Sequence, residues 1–108
     1  MTLRVVFRRA ARQDFEDAAF WYESKRRGLG NEFQFAVEDA LRSVQADPLM
    51  YPRVHQLVRW VRVRRFPYAV FLLHETDRIV VLSIFHARRD PRVWQSRAQQ
   101  SIGADRER

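Results

Sequence analysis

The residues best suited to chemistry lie in the second half of the sequence, where arginines stand beside histidine and aromatic side chains. His86 ends an apolar, β-branched run and is followed closely by Arg88 and Arg89, with Trp94 a few residues further on. A histidine can transfer a proton near neutral pH, and guanidinium groups bind phosphate or carboxylate. A histidine without any chemical role also suits the end of a strand. We therefore assign these four residues to contact with another molecule, the target, and assign none of them a catalytic role.

A second basic group surrounds Pro67. Arg64 and Arg65 precede this proline and Tyr68 follows it. Because a proline cannot donate a hydrogen bond to a neighbouring strand, a turn or a bulge is expected here. We expect Arg64, Arg65 and Tyr68 to contribute to the same target surface, although they also suit a role in fixing the turn.

Four further residues are candidates for binding a partner protein. Trp60 and Arg62 share one parity of an alternating segment, and Trp and Arg are favoured interface anchors. Phe20 and Trp21 fall beside the apolar stripe of a predicted helix instead of within it. Trp60 and Arg62 also suit a strand face that is simply exposed to solvent. Phe20 and Trp21 also suit packing against the second helix or the sheet.

Several other chemistries find no support in the sequence. His55 and His74 lie apart without the spacing of metal ligands, and no phosphate-binding loop, nucleophilic serine motif or pair of carboxylates is present. The chain contains no cysteine, so disulfides and thiol chemistry are excluded. We accordingly predict no metal, no cofactor and no catalytic residue.

Size and charge point to a small protein with an anionic partner. A chain of 108 residues suits one domain. Its formal charge of +7 resides in the second half: residues 1–47 contain eight Lys or Arg and eight Asp or Glu, whereas residues 48–108 contain twelve and five. A one-sided basic field favours nucleic acid or an acidic protein as partner. The sequence shows no signal peptide and no membrane span, and we expect a cytoplasmic location.

The apolar pattern predicts an α+β fold. Leu3–Phe7 is a short β-branched run, and the periodicity then changes to that of two helices, the first over Arg8–Lys25 and the second from Gly30 or Asn31 to Asp47. Predicted buried positions of the helices are Ala11, Phe15, Ala18, Ala19 and Tyr22 in the first and Phe33, Val37, Ala40, Leu41 and Val44 in the second.

Three strands of an antiparallel meander follow, over Val58–Phe66, Ala69–His74 and Ile79–Phe85, after an irregular link at Leu49–Leu57. Pro91 suits the first turn of a possible short C-terminal helix. The predicted order is β-α-α-β-β-β, with the helical hairpin on one face of a mostly antiparallel sheet and a basic face left partly open. We predict one domain over residues 1–97 and a polar, flexible tail over residues 98–108.

Two strings in this framework resemble the ParE/RelE superfamily of small toxins from bacterial toxin-antitoxin pairs. They are WYESKRRGLGNEFQFAVEDALRSVQADPLMYP in the helical hairpin and VRRFPYAVFLLHETDRIVVLSIFHARRDPRVW in the strands. The resemblance covers roughly Leu3 to Trp94 and is closer to the ParE branch. It implies a protein that inhibits DNA gyrase and is silenced by an antitoxin whose C-terminal segment wraps around the toxin.

Departures from the RelE branch concern its nuclease residues. RelE-type toxins place an arginine directly after the aromatic residue that begins the second meander strand, whereas here Tyr68 is followed by Ala69. They also use lysines on the preceding strand and a late aromatic hydroxyl, whereas this chain has no lysine after Lys25 and its late aromatic is Trp94. Arg89 matches a basic position common to both branches. RNA cleavage needs a base and a cation at the phosphate, and no residue here obviously supplies the base.

Three hypotheses follow from the resemblance. The first is a ParE-like toxin that inhibits DNA gyrase through binding, the second a ribosome-dependent mRNA endonuclease, and the third an inactive module that only binds the antitoxin. The expected partner is a ParD-like antitoxin with a ribbon-helix-helix DNA-binding domain, through which alone the toxin would meet operator DNA. We assign Phe20, Trp21, Trp60 and Arg62 to the antitoxin and Arg64, Arg65, Tyr68, His86, Arg88, Arg89 and Trp94 to the target.

Overall fold

A computed structural model of the chain describes residues 3–87, 92, 94–96, 98 and 99. Its elements are β1 (Arg4–Phe7), α1 (Arg9–Lys25), α2 (Leu29–Ala46), a 3-10 turn (Pro48–Met50), β2 (Arg53–His55), β3 (Val58–Arg62), β4 (Tyr68–His74) and β5 (Arg78–His86). The strands form one sheet in the order β1-β5-β4-β3-β2. Only the pair β1 and β5 is parallel within this sheet. The predicted α+β class, with a helical hairpin on a mostly antiparallel sheet, is confirmed.

The helices α1 and α2 bury the apolar stripes that the sequence predicts. Phe33, Val37 and Val44 of α2 are inaccessible to solvent, and they pack with Phe15 of α1 in one cluster on the sheet. Tyr22, the last member of the α1 stripe, is half-buried against the same cluster. Residues three and four apart share one face of a helix, so this periodicity alone was sufficient to predict which side faces the sheet.

Two glycines allow α1 and α2 to meet in a tight hairpin. Gly28 precedes α2 with a φ of 87°, a left-handed conformation that L side chains rarely adopt. A Cβ atom at Gly30 would lie 2.7 Å from the Ala19 carbonyl oxygen, closer than real Cβ atoms approach a backbone. Gly30 therefore permits the close contact of the two helices where the hairpin begins.

The Glu23 carboxylate of α1 caps the first turn of α2. Its two oxygens accept hydrogen bonds from the backbone N–H groups of Gly28 and Gly30, each at 3.0 Å. These two bonds favour the charged carboxylate and hold the pKa of Glu23 below its ordinary value, with smaller contributions from Arg27 and Arg26. A charged carboxylate also stabilises the positive end of the α2 dipole.

The Glu23 cap predicts a loss of stability in acid. Because the folded pKa of Glu23 is lowered, its stabilisation is present above the ordinary carboxyl pKa and is lost as the pH falls through the folded value. We expect Glu23→Gln to lower the melting temperature at neutral pH and to weaken its dependence on acidification. Thermal unfolding followed from neutral to acidic pH measures both effects. Glu16→Gln, at an exposed carboxylate of the same helix, is the matched control, and identical pH profiles for the two variants would contradict the prediction.

The strand prediction needs two corrections. The segment Leu49–Leu57, expected to be irregular, contains the 3-10 turn and the short edge strand β2, which pairs with β3. The strand expected over Val58–Phe66 ends at Arg62, and Val63–Pro67 forms the connection to β4. Strand β2 was missed because three residues are too few to show an alternating pattern. The end of β3 was placed too late because the alternation of apolar and basic residues continues into the turn, where Arg65 has a φ of 71°.

The second face of the sheet is a second apolar core, which corrects the expectation of a partly open basic face. Part of the cover comes from the C-terminal segment, which is helical at residues 92, 94–96 and 98–99. Trp94 and Ala98 of this segment belong to the second core. The sheet residues of this second core are Val58, Ala69, Phe71, Leu73, Val80, Leu82 and Phe85. Strand β4 is apolar on both parities, so both of its faces need cover.

The sequence predicts a helix whose first turn contains Pro91 and a flexible tail over residues 98–108. Pro91 and residues 100–108 lie outside the described residues, so the role of Pro91 and the flexibility of the tail stay predictions. Ala98, the first residue assigned to that tail, is 1% exposed within the second core. Within the described part of the chain, no helix combines the length and the apolar character needed to span a bilayer.

Candidate functional site

A cleft of about 490 Å³ opens between α1 and the end of the sheet where β4 begins and β5 ends. Its polar and aromatic lining consists of Asp14, Asp17, Trp21, Tyr22, Tyr68 and His86. The volume lies within the range of about 300–1,000 Å³ that is usual for ligand sites. Three of these residues, Trp21, Tyr68 and His86, are predicted binding residues, which the fold brings together from distant parts of the sequence.

Helix α1 supplies the acidic side of this cleft. Asp14, Asp17 and Trp21 are spaced by three and four residues, so they follow one another along a single face of the helix. The sequence analysis did not select Asp14 or Asp17, because carboxylates beside an apolar stripe are ordinary on a solvated helix. Their spacing from Trp21 was the signal that could have identified them.

A β-bulge holds Asp14 in place. Between β4 and β5 the pairing shifts, because Phe71 pairs with Ser83 while Leu72 pairs with Val81. Ser83 is fully buried, and its hydroxyl donates to Asp14 Oδ2 at 3.2 Å. The backbone N–H of Ile84 donates to the same oxygen, also at 3.2 Å. The carboxylate therefore satisfies the irregular part of the sheet and is fixed at the edge of the cleft.

Four rings form a continuous array along the cleft. Tyr68 and His86 are directly paired across β4 and β5, with ring centroids 5.2 Å apart. Tyr22 lies 6.1 Å from Tyr68 and 5.0 Å from Trp21, measured between centroids. Burial, with a smaller contribution from Tyr68, raises the pKa of Tyr22 above its ordinary value, so its hydroxyl stays protonated at neutral pH.

The described lining of the cleft contains acidic side chains, whereas the whole chain is basic. The chain contains 20 Lys and Arg against 13 Asp and Glu. Among the described residues, the lining of the cleft includes two aspartates and neither lysine nor arginine. Lys25 lies outside the lining but places its ammonium group 4.9 Å from the centroid of the Trp21 ring.

The predicted target residues that the structure describes lie largely at this same end of the sheet. Arg64 and Arg65 are exposed in the turn before β4, and Arg65 forms a long ion pair of 4.0 Å with Glu32. The Ala87 N–H donates to the Pro67 carbonyl at 2.9 Å, which ties this turn to the end of β5. Arg64 and Arg65 thus sit close to the two cleft residues Tyr68 and His86. Arg88 and Arg89 lie outside the described residues.

Trp94 occupies a different position from the other predicted target residues. It is 6% exposed and stacks on Phe71 with ring centroids 4.3 Å apart and an interplanar angle of 11°. The His55 ring is nearly perpendicular to the Trp94 ring, with centroids 5.9 Å apart. Trp94 belongs to the second core and presents little surface to a partner.

The four residues assigned to the antitoxin occupy two separate places. Phe20 and Trp21 of α1 are 78% and 53% exposed, large fractions for aromatic side chains. Trp60 packs against the second core and Arg62 ends β3 beside it, on the face opposite the helices. One segment that contacts both pairs must therefore pass around the edge of the sheet.

The arrangement is suited to binding. In the part of the chain that the structure describes, no three His, Asp or Glu side chains are grouped so that they can hold a metal ion. The carboxylates, the phenol hydroxyls and the rings of the cleft provide hydrogen-bond acceptors and aromatic faces for another molecule. The exposed aromatics of α1 continue this surface outside the cleft.

Comparison with known proteins identifies the class. The model of the family described as the ParE toxin of the type II toxin-antitoxin system parDE matches residues 5–91. The chain therefore belongs to the ParE toxin family of type II toxin-antitoxin systems.

A solved structure described as a chromosomal ParDE toxin-antitoxin system from P. aeruginosa contains a chain with the same fold. The TM-score is 0.70 at 14% sequence identity, and the similarity covers 81% of this chain and 98% of that chain. A search of curated proteins gives no significant match.

Proposed function

We propose that this toxin inhibits DNA gyrase by binding to it and that a cognate antitoxin neutralises it by direct contact. The observation that carries the proposal is the match of residues 5–91 to the ParE toxin family. The similar fold of a chain from a ParDE system supports the pairing with a ParD-like, ribbon-helix-helix antitoxin.

Two positions favour binding over RNA cleavage. Ala69 stands where the resemblance to RelE-type toxins would require an arginine, and it is buried within the second core. Trp94, the late aromatic residue, has no hydroxyl and is stacked on Phe71. Neither position offers a cation or a proton donor to a phosphate, which makes the ribosome-dependent nuclease the less favoured function.

We assign gyrase contact to the end of the sheet that presents Arg64 and Arg65. Both arginines are exposed in the turn that leads to Tyr68, and Tyr68 is paired with His86 at the end of β5. Arginine and aromatic side chains are frequent anchors of protein interfaces. The predicted contacts Arg88 and Arg89 follow Ala87 in sequence.

The purified protein should block the supercoiling of relaxed plasmid by gyrase, or should trap cleaved plasmid, when it is present in molar excess. The double variant Arg64→Ala with Arg65→Ala should weaken this inhibition by about tenfold or more, as expected for loss of interface anchors. The matched control removes two exposed arginines elsewhere, Arg42 of α2 and Arg53 of β2, and should retain inhibition. Normal supercoiling by gyrase in the presence of excess wild-type protein would refute the proposed target and favour an inactive, antitoxin-binding module.

The antitoxin contact is assigned to the exposed aromatic pair Phe20 and Trp21. An amphipathic helix of the antitoxin can cover this pair, and an extended segment can continue to Trp60 and Arg62. The neighbouring reading frame is the simplest check, since the proposal expects a small gene for a ribbon-helix-helix domain with an amphipathic tail.

A further inference from the structure

We propose that Arg65 is the anchor of the gyrase contact and that a strained, left-handed backbone conformation presents its guanidinium group to a carboxylate of the target. The inference rests on the proposed function. It adds the residue that dominates the contact, the chemistry of the group that this residue binds, and the conformation that presents it. Arg65 lies in the turn Val63–Pro67, which joins β3 to β4.

The first argument is the backbone of Arg65. Its φ of 71° lies in the left-handed region, which residues with a Cβ atom rarely adopt. Among the described residues other than glycine, Arg65 shares a positive φ only with Gln56, whose φ is 50°. Strain of this kind persists where the surrounding structure imposes it, and it is frequent at sites that bind other molecules. Strain alone does not separate the two residues, so the surroundings of Arg65 decide.

The second argument is how firmly the turn is held around Arg65. Val63 and Phe66 are buried in the core, so an apolar side chain fixes the turn on each side of its exposed tip. The Phe66 ring meets the Phe33 ring of α2 nearly at right angles, with centroids 5.2 Å apart. The Val63 N–H donates to the Tyr68 carbonyl at 3.0 Å and closes the turn. A turn that is ordered before the target arrives loses less conformational entropy on binding.

The third argument concerns the chemistry of the partner. Arg65 Nη1 lies 4.0 Å from Glu32 Oε1, a long ion pair in which the arginine side chain is mostly exposed. The other oxygen of Glu32 is 2.8 Å from Arg26 Nη2, so Glu32 keeps an ion pair when Arg65 turns to another partner. Exposed ion pairs contribute little to stability. A carboxylate of the target can therefore replace Glu32 and accept two parallel hydrogen bonds from the Arg65 guanidinium.

The charge of the surrounding sequence agrees with an acidic partner. Residues 48–74 contain five arginines and neither aspartate nor glutamate. A protein surface that carries carboxylates is attracted to such a stretch at long range, which raises the rate of encounter. Arg65, whose position is fixed by the turn, then supplies the specific contact.

The strain is measured by comparing glycine with alanine at two neighbouring positions of the full chain. Arg65→Gly should have a melting temperature roughly 3–6 °C above that of Arg65→Ala, because glycine adopts a positive φ without strain. At Arg64, which has no positive φ, the order should reverse, since glycine loses more backbone freedom on folding. Each pair lacks the same arginine side chain, so only the backbone differs. Equal melting temperatures of the two variants at position 65 would show an unstrained backbone and overturn the inference.

Inhibition of gyrase supercoiling separates the contact from the strain. Arg65→Gly should require about tenfold more protein for half-maximal inhibition, as expected for loss of an interface anchor. Gln56→Gly changes the other left-handed residue to glycine and should inhibit like the wild type. Arg65→Lys keeps the positive charge without the planar guanidinium group and should require about threefold more protein than the wild type. Equal inhibition by the wild type and Arg65→Gly would refute the contact.

Two further outcomes distinguish the partner group and the function. If the wild type binds a DNA duplex in the absence of gyrase and Arg65→Gly loses that binding, the partner group is a phosphate and the assigned carboxylate is refuted. If excess wild-type protein leaves supercoiling normal, the proposed function fails and the gyrase contact fails with it. Inhibition by the wild type that Arg65→Gly fully retains refutes the contact alone and leaves the proposed function intact.

Discussion

Replacing Phe33 with alanine should lower the free energy of unfolding by about 3–5 kcal/mol. Phe33 is inaccessible to solvent, and its ring centroid lies 5.1–6.2 Å from those of four other rings, Phe15, Tyr22, Phe66 and Tyr68. Truncation removes the buried ring and leaves a cavity between α1, α2 and the sheet. A domain of this size is stable by only about 5–15 kcal/mol, so the loss is a large share of the total.

Urea unfolding measures this loss, and Phe35→Ala is the matched control. Phe35 is two residues away on the same helix, is 62% exposed, and contacts the Arg42 guanidinium at 5.4 Å from its ring centroid. Its truncation should change stability by less than about 1 kcal/mol. Similar losses of stability in the two variants would mean that the face of α2 that carries Phe33 is not the buried one.

Trp94→Ala should have an effect of similar size, about 3–5 kcal/mol, on the opposite side of the sheet. The indole is nearly buried and lies flat on Phe71, so its removal uncovers the second core. Trp94→Phe keeps an aromatic ring over Phe71 and should recover most of the stability.

These variants also determine whether Trp94 acts as packing or as a contact with gyrase. If Trp94 only packs the second core, Trp94→Ala should unfold at a lower urea concentration than the wild type. Trp94→Phe should then be nearly as stable as the wild type and should inhibit gyrase equally well. Trp21→Ala, at a tryptophan that is 53% exposed, is the control for loss of an indole without loss of core. A stable Trp94→Ala variant that fails to inhibit gyrase would instead support the contact role.

The sequence by itself determined the helices, most of the strands and the class of fold. The apolar periods of α1 and α2 predicted their buried faces, because residues three and four apart necessarily share one side of a helix. The β-branched runs of β4 and β5 predicted buried neighbouring strands for a similarly local reason. The short strings around Pro67 and at residues 85–91 indicated the ParE family, which the family comparison confirmed.

Only the tertiary structure decided how the second face is covered and where the cleft lies. Trp94 reaches Phe71 through a packing contact between distant residues, which no local period encodes. The cleft joins Asp14 to His86 across most of the chain, and its acidic side depends on a bulge between β4 and β5 that turns Ser83 toward α1. Local patterns determine which side of an element is apolar, whereas the partner of each side is set by contacts between elements that are remote in sequence.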